Sequence, residues 1–233
     1  MNNDCDTVAL LLNHGDVNVN AMAIQIPIEY EFDKRVYKNV YPIHMACHFG
    51  SPRLFSYLVR QDDIKIKVHD DCDRSILHYA FKNCNYEVYK NVLKFRGFNC
   101  KQDKCAYDGY PIHIVCQVNN IQGAHFLLSQ PLIELDDTVD DRRNKKDYGK
   151  TPLLLASCRG YGEITKAILD HGRCDINARI EATGETTFLN CCYYGLDEVI
   201  DTLMRKKAFT MKRQIFSNGV LFIYLYDSFN ISS

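Results

Sequence analysis

One seven-residue phrase recurs along this chain at a nearly fixed interval. It reads Tyr41-Pro-Ile-His-Met-Ala-Cys47, Ser75-Ile-Leu-His-Tyr-Ala-Phe81, Tyr110-Pro-Ile-His-Ile-Val-Cys116, Thr151-Pro-Leu-Leu-Leu-Ala-Ser157 and Thr186-Thr-Phe-Leu-Asn-Cys-Cys192. Successive copies start 34, 35, 41 and 35 residues apart. A period of this length is the mark of stacked repeats, in which no unit buries its apolar face alone and each leans on its neighbours. Such proteins present long surfaces, so the period favours binding over chemistry.

Within each period the residues prescribe two helices. Pro42, Pro111 and Pro152 stand where a first helical turn has no use for an N–H and where φ is already set. Small residues follow at Ala46, Cys47, Ala80, Cys116, Ala156, Ser157, Cys191 and Cys192. They allow neighbouring helices to approach closely. Gly50, Gly160 and Gly195 fall where a helix should stop. Second helices follow, with apolar spacings of three and four: Leu54, Leu58 and Val59; Val88, Val92 and Leu93; Ala124, Leu127 and Leu128; Ile164, Ile168 and Leu169; Val199, Leu203 and Met204.

These phrases resemble the ankyrin repeat, whose signature is Thr-Pro-Leu-His, a small-residue pair and a Gly. The fourth copy is the nearest match, from Asp147-Tyr-Gly-Lys-Thr-Pro-Leu153 to Ile168-Leu-Asp-His-Gly-Arg-Cys-Asp-Ile-Asn-Ala178. The resemblance implies an all-α solenoid of helix pairs joined by β-hairpin loops. It divides the chain into a half-repeat at 4–20, repeats at 41–72, 73–105, 108–146, 147–180 and 184–208, and a non-repeat tail at 209–233. The half-repeat, Val8 to Asn18, holds only the second half of the pattern. Either it caps the stack or the chain is a piece of something longer.

Three stretches depart from the repeat. Between 21 and 40, Ile24, Ile26, Ile28, Tyr30 and Phe32 alternate with polar residues and Pro27. Period two is a strand signal. We expect an extended β-hairpin standing off the stack, turning at Asp33–Arg35 and returning through Val36–Val40; the alternative is an irregular loop. From Leu135 to Asp147 four acidic residues precede four basic ones. That run is read as a solvated loop, a charged finger for a partner, or a nuclear-import patch at 142–146. The tail holds Gly219-Val-Leu-Phe-Ile-Tyr-Leu-Tyr226. It is far short of the roughly 20 apolar residues a membrane helix needs. A cap over the last repeat, a segment touching a membrane surface or partner, and an unstructured end are its three readings.

Composition narrows the function classes. Basic and acidic residues number 28 and 29, so no general attraction to nucleic acid is expected. The eleven cysteines are an odd count, and no secretory leader opens the chain. Reduced thiols in the cytosol, or in the nucleus, are the expectation.

Chemistry-bearing motifs are absorbed by the repeat. His44, His78 and His113 recur at one repeat position. In the ankyrin family this His resembles a hydrogen-bonding tie between neighbouring turns. Leu154 and Leu189 replace it later. Gly149-Lys-Thr151 lacks the rest of a phosphate loop. No Cys-x-x-Cys pair offers zinc spacing. No catalytic residue, metal site or cofactor is expected.

What remains is surface. The resemblance implies that a protein partner of unknown identity meets a concave face made of inner helices and hairpin tips. Carried over one position at a time, the candidates are Met45, His48, Phe49, Arg74, Tyr79, Lys82, Gln117, Tyr148, Lys150, Arg159, Tyr193 and Tyr194. Tyr79, Arg159, Tyr193 and Tyr194 lead, since Tyr and Arg join large area to a polar handle. The leading function is a non-catalytic scaffold or adaptor. The alternatives are the targeting arm of a larger enzyme or signalling protein, a membrane-associated regulator using the tail, and a decayed repeat relic.

Overall fold

A computed structural model describes Thr7, Leu10 and residues 17–24, 26–27, 36–95, 98–100, 103–105, 107–131 and 133–209. Ten helices among these residues form five antiparallel pairs. The first helix of each pair, here called inner, is α1 (Pro42–His48), α3 (Ile76–Lys82), α5 (Pro111–Val118), α7 (Pro152–Ser157) or α9 (Thr187–Tyr194). The second, outer, helix is α2 (Pro52–Leu58), α4 (Tyr86–Val92), α6 (Ile121–Leu128), α8 (Gly162–His171) or α10 (Asp197–Arg205). Each inner helix lies against the next along the chain, and each packs on its own outer helix. The result is a row of units, an α-solenoid, and not one shared globular core.

The helices start where the residues require. Ser51, Asn85, Asn120, Thr151 and Thr186 accept N–H groups of the first turn with their side chains. Pro stands in the first turn of α1, α2, α5 and α7. The contact line between inner helices is fully buried: Ala46, Ala80, Val115, Ala156 and Cys191 are all 0 % exposed. Cys47, Cys105 and Cys116 are as deeply buried and behave as small apolar groups. Burial pushes the Cys47 and Cys116 thiols far up.

Outer helices bury most of the expected residues. Val88, Val92, Ala124, Leu127, Ile164, Ile168, Leu169, Val199 and Leu203 are core. Leu93 and Leu128 are only partly covered, and two further helices depart from the expected pattern. In α2, Phe55 takes the buried centre with Leu58, leaving Leu54 and Val59 partly covered. In α10, Met204 is exposed and Ile200 buried. Between α4 and α6 the space is filled by rings. Tyr89 stacks on Phe81 at 4.4 Å, and Phe126 lies 5.6 Å from Tyr89 and 6.2 Å from Tyr86.

The early insertion is a β-hairpin in its arms. Two-residue strands β1 (Ile26–Pro27) and β2 (Val36–Tyr37) pair antiparallel, with Ile26 opposite Tyr37. Ala23 and Val40 exchange both N–H···O bonds, at 2.8 and 3.0 Å. The expected turn at Asp33–Arg35, most of the half-repeat and the tail beyond Phe209 lie outside the described residues. Asn20 still ties the N-terminal segment to the first pair: its amide donates to Asp63 C=O at 2.9 Å and its Oδ1 accepts from Lys65 N–H at 2.8 Å. Among the described residues no helix is long and apolar enough to cross a membrane.

The turn after each inner helix needs a left-handed residue. Gly50, Gly160 and Gly195 supply it at φ +61, +72 and +64°. Asn119 and Cys84 occupy the same place in the third and second pairs, at φ 56 and 66°. Asn tolerates this region; Cys pays steric strain of about 1 kcal/mol. Because the Cys84 side chain is exposed, Cys84→Gly should stabilise the protein by about 1 kcal/mol, read as a rise in the urea midpoint at unchanged slope. An unchanged or lower midpoint would show that the turn is not strained.

Candidate protein-binding face

The recurring histidines bind in two directions at once. In each, Nδ1 accepts the N–H of the residue capping its own helix: Tyr41 at 3.2 Å, Ser75 at 3.3 Å and Tyr110 at 3.1 Å. Nε2 meets a carbonyl in the segment leading to the next pair: Val68 at 3.2 Å, Gly109 at 3.2 Å and Asp137 at 2.9 Å. At His44 and His113 only a neutral imidazole with its proton on Nε2 satisfies both; at His78 burial opposes the charge, but Cys105 and Asp103 outweigh it and raise the pKa to about 9. Burial holds the His44 and His113 pKa down at about 4.

Ser75, His78 and Asp103 come together in a way that invites comparison with a catalytic triad. Ser75 Oγ donates to Asp103 at 2.5 Å and lies 3.0 Å from His78 Nδ1. The order is wrong for nucleophile activation, because Ser bonds the carboxylate directly and His turns its other nitrogen to a backbone carbonyl. Ser75 and His78 are each 1 % exposed, so no substrate reaches them. Asp70, Asp71 and Cys72 gather three ligand atoms within 4.8 Å. Asp70 is already saturated, however, by the N–H groups of Cys72 and Arg74, the Arg74 guanidinium at 3.1 Å and the Tyr79 hydroxyl at 2.8 Å. Arg74 supplies the positive charge a metal would bring.

This network relocates one leading candidate, Tyr79, and a second candidate, Arg74. Tyr79 is 2 % exposed; its ring lies 4.9 Å from His44 and 6.0 Å from His48. Arg74 is buried between Asp70 and Asp108 and lies over the Tyr107 ring. Both join repeats and offer no surface to a partner. His48 is also buried, and burial, with Lys82 nearby, lowers its pKa to about 4.

The remaining candidates fall into two groups. Near α1 and α3, Phe49 is exposed, packed edge-on against His48, while Met45 and Lys82 are half-buried. Gln117 on α5 is half-buried between the groups. Around the ends of α7 and α9, Lys150 Nζ lies 3.4 Å from Cys158 Sγ and 3.9 Å from Glu185. Arg159 donates to Asp147 at 2.7 Å. The Tyr194 hydroxyl donates to Cys158 C=O at 3.0 Å, and its ring lies over Gly160, where a Cβ would come within 3.0 Å of it. Tyr193, edge-on to Tyr194 at 4.9 Å, is 83 % exposed. Tyr148 is exposed at the tip before α7.

A set of amide ties escaped the sequence reading. Asn83 donates to His48 C=O at 2.6 Å, Asn85 to Gly50 C=O at 2.8 Å and Asn120 to Phe81 C=O at 2.9 Å. Each reaches back to the preceding pair. Asn83 and Tyr194 stand at one repeat position and meet the same carbonyl of the unit before. The signal was present, since Asn85 and Asn120 are the residues that start α4 and α6.

A row of helix pairs with a recurring His tie and a left-handed turn after the inner helix defines an α-solenoid of the ankyrin type. The family description "Ankyrin repeats (3 copies)" matches residues 1–104, 85–180 and 112–214, and the chain belongs to the ankyrin-repeat family. It is 26 % identical over 145 residues to the human Transient receptor potential cation channel subfamily A member 1, a match covering 62 % of this chain and 12 % of that protein. It is 27 % identical over 158 residues to Putative ankyrin repeat protein FPV031 of Fowlpox virus (strain NVSL), covering 66 % and 44 %. The chain thus spans less than half the length of either relative.

The neutral His tie predicts a pH dependence with a definite sign. His113 titrates near 6.5 when unfolded and at about 4 when folded. Its contribution is complete above pH 6.5 and is lost as pH falls toward 4, by about 2 kcal/mol at pH 5. His113→Leu should cost about 1–3 kcal/mol at pH 7.5. That deficit should shrink by about 2 kcal/mol at pH 5 in denaturant titrations. A deficit independent of pH would show that this ring is not held neutral.

Proposed function

We propose that this protein is a non-catalytic adaptor of the cytosol that binds a partner protein on the face formed by its inner-helix ends and hairpin tips. The observation that carries the reading is the exposure of Phe49, Tyr148, Tyr193 and Tyr194 on that face, while the other large inner-helix side chains tie repeats together. Exposed aromatics held on a rigid helix, as Tyr193 and Tyr194 are, or at its border present area with little ordering cost. Tyr193 is the strongest anchor: among the described residues it makes no hydrogen bond to another repeat, whereas Tyr194 is oriented by Cys158. Family membership supports a protein partner, and a stable contact would cover about 800 Å² on this side. Cysteines at core positions support a reducing compartment.

The test uses the full chain as bait, identifies what it captures and measures affinity with purified partner. Tyr193→Ala should weaken binding at least about tenfold (~1.4 kcal/mol) and leave the melting temperature unchanged. Tyr79→Phe should do the reverse, lowering stability by about 1–3 kcal/mol through loss of the buried bond to Asp70 while leaving affinity intact. Undiminished binding by both Tyr193→Ala and Phe49→Ala would move the interface off this face.

A further inference from the structure

The insertion from Leu135 to Asp147 is built as a fixed element. Leu135 and Val139 are buried at 2 and 0 % exposure. Val139 is bonded to the segment leading into α7: its N–H donates to Lys150 C=O at 3.2 Å, and Gly149 N–H donates to Val139 C=O at 2.8 Å. Asn144 and Asp147 point inward, and the Asn144 amide donates to Tyr107 C=O at 3.1 Å. Successive turns follow, with Asp147 and Tyr148 N–H groups both returning to Asn144 C=O. Lys145, Lys146 and Tyr148 are thereby left on the outside.

The charges of this loop are used unequally. Its five carboxylates are all engaged. Asp136 accepts from Asp175 N–H at 2.6 Å, Asp137 stands near the Tyr110 hydroxyl, whose pKa burial and this carboxylate raise, and Asp140 pairs with Lys104 at 2.7 Å. Asp141 pairs with Arg143 at 2.5 Å, and Asp147 with Arg159. Of the four cations only Arg143 has a carboxylate partner among the described residues. Arg142 lies over the Tyr148 ring at 5.9 Å. Among the described residues no carboxylate pairs with Arg142, Lys145 or Lys146. A loop of near-balanced composition therefore presents a basic edge with an aromatic beside it.

We propose that this edge, Arg142, Lys145, Lys146 and Tyr148, docks an acidic peptide segment of the partner, which rests on the protein-binding reading and extends it to a second contact. Complementarity of charge selects the class of ligand. A nucleic acid fits less well, because its continuous phosphate charge would run past the patch onto the acidic half of the loop. A short acidic segment needs only the edge. The Tyr148 ring adds apolar contact for the segment's methylenes, and the pinned backbone means that no loop ordering opposes binding.

The test is fluorescence anisotropy of the full chain with a labelled twelve-residue Asp/Glu/Gly peptide. Controls are the Asn/Gln/Gly counterpart and a single-stranded oligothymidylate. The acidic peptide should bind, and raising salt from about 50 to about 300 mM should weaken it severalfold. The triple variant Arg142→Glu, Lys145→Glu, Lys146→Glu keeps every anchor of the loop, so its melting temperature should hold while affinity falls at least about tenfold. If the triple variant melts early, peptide-induced amide NMR shifts on the wild-type chain decide instead, and they should centre on residues 142–148. Equal binding of the neutral peptide, tighter binding of the oligothymidylate, unchanged affinity of a folded triple variant, or shifts centred elsewhere would each overturn the inference. The two readings separate cleanly. Tyr193→Ala should leave peptide binding unchanged, and loss of the peptide site alone would leave the inner-helix face standing.

Discussion

Close approach of neighbouring inner helices is the constraint on which the rest of this structure depends. At Ala46, Ala80, Val115, Ala156 and Cys191 no surface remains exposed. A larger side chain at any of them would force neighbouring units apart, and interiors at this packing density do not absorb added volume cheaply. The backbone beside this line must then be satisfied without water. The His rings, the Asn amides and the Tyr194 hydroxyl do so by reaching from one unit to a carbonyl of the next or the one before. Those polar groups therefore follow from the packing, since an unpaired carbonyl at a dry seam costs more than the bond returns.

The polar ties change character along the row. In the first three pairs they centre on buried imidazoles. From the fourth pair on, Leu154 and Leu189 stand at the His position, and Leu154 is itself buried. Other groups take over there. Asn190 donates to Ser157 Oγ and to Glu185 at 3.1 Å, and Lys206 Nζ donates to Leu169 C=O at 2.7 Å. Asn177 donates to Ala208 C=O at 2.8 Å, much as Asn20 does to Asp63 at the other end. The C-terminal ties sit closer to solvent and carry no imidazole. Acid sensitivity from the buried His44 and His113 thus belongs to the N-terminal half, and the Lys–Glu contacts of the other half are the ones salt weakens.

Much of the fold was legible because the features that set it are local and repeated. Pro, small residue and left-handed turn recur at fixed offsets, and the helix pairs follow from them. What failed to show was pairing across units. Asp73-Arg74 reads as an exposed tip, and nothing nearby in sequence says that Asp108, 34 residues on, will enclose the guanidinium. Tyr79 looks like a hot-spot residue for the same reason: the Asp70 that takes its hydroxyl lies in the hairpin before the helix. The candidate face was legible by position but not by burial. His48 shares its repeat position with the exposed Tyr193, and Arg74 and Tyr79 share theirs with the half-buried Lys150 and Met45; only the neighbour's side chain decides which is which. The insertion at 135–147 was misleading in another way. Its composition is that of a solvated loop, yet Val139, Asn144 and Asp147 anchor it.

That anchoring bears on how a chain of net charge −1 can still discriminate by charge. Long-range steering scales with net charge and is close to absent here. Recognition must then come from local fields, and a local field is definite only where the charges are held still. Within this loop Asp140, Asp141 and Asp147 are paired with Lys104, Arg143 and Arg159, so their contribution outside is partly cancelled at its source. The cations left at the surface act at a fixed spacing beside Tyr148. Lys150 and Arg159 carry charge onward toward Tyr194, but each is already committed to Glu185 or Asp147. A ligand would have to compete for them with carboxylates in place. At Lys145 and Lys146 it would displace only water, and this difference makes the tip of the insertion, more than the inner-helix ends, the place where an acidic partner gains most.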